Sequence, residues 1–475
     1  MMNFSRSLLP LSRLPLSRRG APGALGLGLV LLLAPLAVLA SELPSGAKVP
    51  AVRDTPDASS GQSRPTGPIF RDGQTQVVPA FENPEEWIRE ELWVETELDT
   101  DGDGKLDRVH VAVVRPAQTG TEGLKVPVIY ESSPYFSGTA GVDLSYFWDV
   151  HQEVGGPPPE RAPAPSVQTR VRPGISGSLV NTWVPRGFAV VHSEAPGTGL
   201  SEGCPTVGGP PEALAPKAVI DWLNGRARGY TEADGGEPVR AEWSTGKVGM
   251  TGTSYNGTIP VAAATTGVEG LEAIIPVAPN TSYYRYYRSN GLVRSPGGYL
   301  GEDIDVLYDF INSGDPEGRT YCNTIYRDGE MAAGQDRVTG DYNEFWADRD
   351  FMNRLDGIRA ATLMSHAFND WNVMPEHSVK VYEHLRKRGV PAMAYFHQGG
   401  HGGPPPLELM NRWFLTGTTH QINDQCCQQR TCSEGHQEGG GAVARYPQKA
   451  GDRSQWHRGG RDQPSHEWLG RQTWQ

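Results

Sequence analysis

Lys247-Val248-Gly249-Met250-Thr251-Gly252-Thr253-Ser254-Tyr255-Asn256-Gly257, with Ile259-Pro260-Val261-Ala262-Ala263-Ala264 close behind, is the stretch on which the fold of this 475-residue chain turns. Residues 247–250 read as a short strand, 252–257 as a glycine-rich turn, and 259–264 as a helix of small residues. The turn satisfies G-x-S-x-x-G, a relative of the G-x-S-x-G elbow. That elbow needs a serine on a sharp strand-to-helix bend, with small residues where the backbone crowds itself. A Gly-Ser turn alone also occurs as an inert connection. The strand before it and the helix after it point to a nucleophile at Ser254.

Outward from this unit the pattern repeats. Strand patterns lie at 91–97, 108–114, 126–130, 188–191, 271–277, 361–365 and 392–397, and helical ones at 213–223 and 378–387. Strands alternating with helices predict a mostly parallel sheet covered on both faces, hence an α/β architecture. Residues 81–298 and 351–415 form the two parts of this core. Between them, 299–350 turn helical, aromatic and charged, and are expected to be a helical cap inserted into the sheet domain.

The ends are different. Arg13, Arg18 and Arg19 precede an apolar run over 21–40 that closes on Val38-Leu39-Ala40, so residues 1–40 read as a secretory signal peptide. This predicts a secreted or periplasmic protein with no stable membrane association after cleavage. The alternative is an uncleaved membrane anchor, since the run is about long enough to span a bilayer. Residues 41–80, rich in Ser, Pro, Gly and Thr, read as a linker. Residues 416–475 show neither helical nor strand periodicity and read as a disordered tail. The formal net charge of −12 gives no support to nucleic-acid binding. Five cysteines, Cys204, Cys322, Cys426, Cys427 and Cys432, define no disulfide framework by count or spacing, so the fold is expected to rest on its core.

A serine nucleophile needs a base, and the base an orienting carboxylate. In this fold they follow in the order Ser, acid, His. Asp370 lies just past the strand at 361–365 and His401 just past the strand at 392–397, on loops at strand C-terminal ends, where open α/β sheets assemble their sites. Singly, Asp370 reads equally as a helix N-cap and His401 as an exposed loop histidine; their joint order and placement favour a triad. His397 is the rival base. His366 and His192 read as structural.

The Gly-Thr-Ser254-Tyr255-Asn-Gly turn, Asp370-Trp371-Asn-Val and Gly-Gly-His401-Gly together resemble the Xaa-Pro dipeptidyl-peptidase family, which also contains the cocaine-esterase type of acyl hydrolase. The likeness runs from about residue 91 to 414. It implies an α/β-hydrolase fold, a triad of Ser254, Asp370 and His401, no cofactor, and an oxyanion held by the Tyr255 amide and the Tyr135 hydroxyl. It further implies a peptide substrate with a free N-terminus, needing an anion for the amine and an apolar slot for proline. Glu302, Asp303, Tyr299 and Trp371 are the candidates for that site, with Asp305 and the tyrosines 283, 284, 286 and 287 nearby. An ester or amide hydrolase would need the slot without the amine anchor. Family members continue into a C-terminal β-sandwich where this chain becomes unpatterned, so an inactive truncated member is a further alternative. A homodimer stands as an option.

Asp99, Asp101, Asp103 and Asp107 are spaced as in a calcium loop, but His110 stands where such loops carry a bidentate Glu. A polar Asp-Gly hairpin explains the segment equally well and is the preferred reading.

Overall fold

Valine- and isoleucine-rich runs form one ten-stranded sheet. In chain order its strands are β1 (Ile88–Glu95), β2 (Arg108–Arg115), β3 (Val126–Ser133), β4 (Ala189–Glu194), β5 (Gly229–Tyr230), β6 (Pro238–Val239), β7 (Ser244–Thr253), β8 (Leu271–Val277), β9 (Ala361–Ala367) and β10 (Ala392–His397). Their spatial order is β6-β5-β1-β2-β4-β3-β7-β8-β9-β10. From β4 to β10 every pairing is parallel. The pairings from β6 to β4 are antiparallel. β3 is buried along its whole length, which is why it reads as a continuous apolar run rather than an alternating one.

The computed structural model describes residues 67–150, 161–169, 175–289, 291–296 and 299–419. The signal-peptide reading of 1–40 and nearly all of the tail reading lie outside these residues. Among the described residues, no helix is long and apolar enough to cross a membrane.

The longer helices are α1 (Gly177–Trp183), α2 (Pro211–Leu223), α3 (Tyr255–Thr265), α4 (Tyr283–Tyr287), α5 (Ile304–Ile311), α6 (Glu376–Arg388) and α7 (Leu407–Thr419), of which α1, α2, α3, α6 and α7 cover the two faces of the sheet. Val219, Ile220 and Trp222 of α2 and Ile259 and Val261 of α3 join Val111, Val128 and Met250 in one core layer. On the other face Trp183 of α1 and Met410 and Phe414 of α7 pack with Ile129, Ile275 and Leu363. Gly249 lets α7 lie close on β7, because a Cβ there would stand 2.5 Å from the Phe414 ring. This is an α/β-hydrolase fold.

The stretch between β8 and β9 carries α4, α5, a short helix at Arg319–Cys322, a π-helical segment at Asn323–Met331 and another helix at Glu344–Asp348. It is tied to the loop after β4 by hydrogen bonds and by a disulfide. The buried Arg349 guanidinium donates to the carbonyls of Thr206 (3.1 Å) and Val207 (3.2 Å). Cys204 and Cys322 form a disulfide. The expectation of a fold held by its core alone is therefore corrected: the two cysteines lie 118 residues apart, a pairing that no local spacing reveals.

Three local expectations are also corrected. The helix after the serine begins at Tyr255, not at 259, and β7 runs through Thr253, so strand and helix are separated by Ser254 alone. The linker reading of 41–80 overreaches, since Ile69–Arg71 and Gln74–Gln76 form a hairpin. Its Asp72-Gly73 turn has both φ values positive, and buried Thr75 bonds the Asn411 side chain of α7. The strands are too short to show alternation, which is why they read as linker. Finally, α7 continues to Thr419, past the boundary drawn at 416.

Candidate active site

Ser254 is a non-glycine residue in left-handed backbone space, with φ 63° and ψ −124°. Such conformations cost of order 1–3 kcal/mol and persist where surrounding bonds over-determine them. Here the Ser254 amide donates to Val277 O of β8 at 2.9 Å, and the Gly257 and Thr258 amides donate to Ser254 O at 2.9 Å. The flanking glycines are required by close approach. A Cβ at Gly252 would collide with the Asn256 carbonyl, and one at Gly257 would lie 2.6 Å from Val277 O. Side chains brace the turn from outside: Asn256 Nδ2 donates to Glu131 Oε1 at 2.9 Å, and Tyr255 OH to Glu212 Oε1 of α2 at 2.5 Å. The Tyr255 amide, first in α3, has no hydrogen-bond partner among the described residues.

Asp370 follows β9 and His401 follows β10, and the structure joins them directly. Asp370 Oδ2 accepts from His401 Nδ1 at 2.8 Å, and His366 Nε2, hydrogen-bonded to Val373 O at 3.0 Å, stands 3.1 Å from the same oxygen. Its Oδ1 accepts the Asn372 and Val373 amides, both at 2.9 Å. Burial by itself would raise the Asp370 pKa, but the two histidine hydrogen bonds and the His401 charge outweigh it and hold the carboxyl well below the usual range. Asp370 is thus ionised at neutral pH. The glycines after His401 bring its loop against the end of β7, where a Cβ at Gly402 would lie 3.7 Å from Thr253 Cγ2.

Ser254 Oγ makes no hydrogen bond among the described residues, so the link from Ser254 to His401 is open. Such links are often long in unliganded sites and tighten on binding. His397, the rival base, does not reach Asp370. Its ring accepts the Gly399 amide at 3.1 Å and contacts Gly403 O at 3.1 Å, bracing the loop that carries His401. His192 is buried in the sheet, 3.8 Å from Glu131.

Ser254 opens into a cavity of about 210 Å³, shared with Tyr135, Tyr286, Tyr299, Glu302, Phe310 and Asn372. Tyr135 packs edge-on against Tyr255 (5.9 Å between ring centres) and Phe310 (6.3 Å). Burial, with the charges of Glu302 and Glu212, pushes its phenol pKa upward, so it keeps a proton to donate. Glu302 Oε1 accepts from Tyr287 OH at 3.0 Å. Burial raises this carboxyl to about 7; the Tyr287 hydrogen bond works against that rise and the Asp303 charge adds to it. Tyr299 and Trp371 stand with ring centres 6.2 Å apart, Trp371 being 58% exposed, as a rim rather than a floor.

Asp303 is a correction. It is fully buried and paired with Arg288 (3.0 Å) and Arg337 (2.7 Å), and it caps α5 by accepting the Ile304 amide. Its charge is spent on the fold, leaving none for a ligand. Asp305 is likewise held by Arg161 at 2.8 Å. Conversely, sequence reasoning missed Val306, Asp309 and Phe310, which line the cavity. Their i, i+3, i+4 spacing marks one helix face, yet nothing local says which face looks at Ser254. A larger open groove of about 640 Å³ contains none of these groups and adjoins Trp222, Tyr230 and Glu242 instead.

In the aspartate loop, Asp99, Asp101 and Asp107 bring carboxylate oxygens within 4.8 Å of one another, while Asp103 stands outside that group. Their hydrogen bonds are those of a self-capped hairpin: Asp99 accepts the Gly102 and Gly104 amides, and Asp107 accepts from Thr100 N and Oγ1.

Residues 101–403 match the family described as X-Pro dipeptidyl-peptidase (S15 family). A protein of Rhodopirellula baltica named "Putative Xaa-Pro dipeptidyl-peptidase" is 68% identical over 349 residues, covering 73% of this chain and 56% of that one. The Xaa-Pro dipeptidyl-peptidase of Lacticaseibacillus paracasei is 36% identical over 402 residues, covering 77% of this chain and 49% of that one. Among solved structures, an alpha-amino acid ester hydrolase aligns with a TM-score of 0.41 and 17% identity, covering 72% of this chain and 52% of that one. The chain spans about half the length of the curated relatives it matches.

Proposed function

Since this chain belongs to the X-Pro dipeptidyl-peptidase family S15, we propose that it is a serine peptidase releasing N-terminal Xaa-Pro dipeptides through Ser254, His401 and Asp370. The observation that carries this reading is that the strained Ser254 opens into the same cavity as Glu302, while Asp370 holds His401 on the neighbouring loop.

In the proposed reaction His401 Nε2 takes the Ser254 proton as Oγ attacks the carbonyl carbon of the proline residue. The ionised Asp370 orients the ring and stabilises the imidazolium. The Tyr255 amide and the Tyr135 hydroxyl donate to the developing oxyanion, each such donor contributing on the order of 3 kcal/mol. His401 returns the proton to the leaving amine, and water then resolves the acyl-enzyme by the same steps. Glu302 receives the substrate's ammonium group, while Phe310 and Val306 offer the apolar wall for proline. The Cys204–Cys322 disulfide supports an exported location, because disulfides persist in oxidising compartments.

The test compares Gly-Pro-anilide, its N-acetyl derivative and an aryl ester on the wild-type protein and on Ser254→Ala. Expected are turnover of the free-amine anilide, at least tenfold poorer use of the acetylated one, and loss of all hydrolysis and of fluorophosphonate labelling in Ser254→Ala. Equal use of both anilides, or preference for the ester, would point to an acyl hydrolase without an amine anchor. Full activity in Ser254→Ala would remove the nucleophile.

A further inference from the structure

We propose that His366 is a positioning residue, sharing its Nε2–H between the Val373 carbonyl and the same Asp370 oxygen that receives His401, and so setting both the orientation of that carboxylate and the share of its charge seen by His401. This rests on the Ser254–His401–Asp370 reading above.

The geometry assigns the proton on His366. The residue is fully buried at the end of β9. Its Nε2 lies 3.1 Å from Asp370 Oδ2 and 3.0 Å from the Val373 carbonyl. Neither of those atoms can donate, so Nε2 must carry the hydrogen. Its Nδ1 lies 2.7 Å from Ser378 Oγ of α6, a hydroxyl able to donate to an unprotonated nitrogen. The ring is therefore clamped between a helix and a loop in one tautomer.

Asp370 then accepts on both oxygens, two backbone amides on Oδ1 and the His401 imidazole on Oδ2, with His366 Nε2 3.1 Å from that same Oδ2. The amides keep the carboxylate in place, so the effect of His366 falls on Oδ2. A second donor there withdraws negative charge from the side facing His401, leaving the base less strongly held in its protonated form. The titratable groups bearing on this cluster are few. They are Asp370 and His401, His377 from α6, and Arg285, Arg294 and Lys380 acting on His377 from outside. Burial pushes His377 down to about 3, so it stays uncharged.

The test uses the full chain with Gly-Pro-anilide and the pH dependence of kcat/KM in wild type, His366→Leu and His366→Gln, with melting curves as the folding control. Glutamine places an N–H donor near the position of Nε2; leucine removes it. Expected for His366→Leu is a fall in kcat of about tenfold or more, KM within threefold of wild type, and an acidic limb moved upward by half a pH unit or more. His366→Gln should restore most of the rate and return the limb toward its wild-type position. An unmoved or downward-moved limb in folded His366→Leu, or glutamine as impaired as leucine, would overturn the proposal. Should the leucine variant fail to fold, ¹⁵N-histidine NMR decides: an Nε2–H at His366 whose proton shift moves in Asp370→Asn upholds it, and an Nδ1–H tautomer, or an Nε2–H unmoved by Asp370→Asn, removes it. Asp370→Asn is run in parallel. If that variant keeps the wild-type rate, the triad reading itself has failed, whatever His366 does.

Discussion

At the scale of single residues, Glu302 and Asp303 show how neighbours of like chemistry diverge. Asp303 is locked between two arginines, whereas among the described residues the Glu302 side chain accepts only from a phenol hydroxyl, and it faces the cavity. Glu302→Gln should therefore raise KM for free-amine dipeptide anilides about tenfold or more and leave the N-acetyl substrate little changed, as steady-state kinetics would show. The same carboxyl gives a pH signature. Its pKa in the empty site is raised to about 7, and only the ionised form attracts an ammonium group. KM for free-amine substrates should accordingly rise as pH falls through about 7, a dependence that Glu302→Gln abolishes. Adjacent acidic residues were legible in the sequence as candidates. Which of them was free was not, because the partners of Asp303 lie 15 and 34 residues away.

At the scale of elements, the strand–turn–helix unit is held by crowding. The Gly257 Cα sits so near Val277 O that one added methyl must displace β8 or α3. Gly257→Ala should lower stability by about 1–3 kcal/mol, as overpacking does. It should also reduce fluorophosphonate labelling, since the angle of the turn is what exposes Ser254; a melting curve and a labelling time course check both. This unit was readable from its glycines and from the strand before it. The start of α3 was misplaced by four residues because Tyr, Asn and Gly are poor helix formers. They are helical here because the Tyr255 ring is buried beneath the turn and tied to Glu212.

At the scale of the whole molecule, the disulfide joins the loop after β4 to the helical stretch between β8 and β9. Cross-links closing loops of this length contribute about 2–5 kcal/mol. The double variant Cys204→Ser/Cys322→Ser should lose stability by that amount in denaturant melts, with KM rising more than kcat falls, because the cavity wall contributed by α5 belongs to the tethered stretch. Stability should also decline with rising pH. Burial raises Asp107, Glu212 and Glu302 each to about 7, above their unfolded values near 4. Each thus contributes stability that is fully present below about pH 4 and is lost as pH rises through about 7. Asp370 has the opposite sign, but its stabilisation is lost only as pH falls through its depressed folded value. His192 and His377, pushed down to about 3 by burial, favour the folded state more as pH rises toward about 6.5 and no further. The window free of both is pH 6.5–8, where the melting temperature should fall and Glu212→Gln should flatten the slope.

The sequence by itself determined the alternation of strands and helices, the strand–turn–helix unit at Ser254, and the order of Ser254, Asp370 and His401. All of these are local: periodicity, glycine placement and position at a strand end are carried by neighbouring residues. Only the tertiary structure decided that His366 stands beside Asp370 along with His401, that Glu302 rather than Asp303 faces the cavity, and that Cys204 meets Cys322. The physical reason is common to all three. Whether a buried polar group is free or already satisfied depends on partners brought close by the packing of separate elements, and local pattern carries no record of that packing.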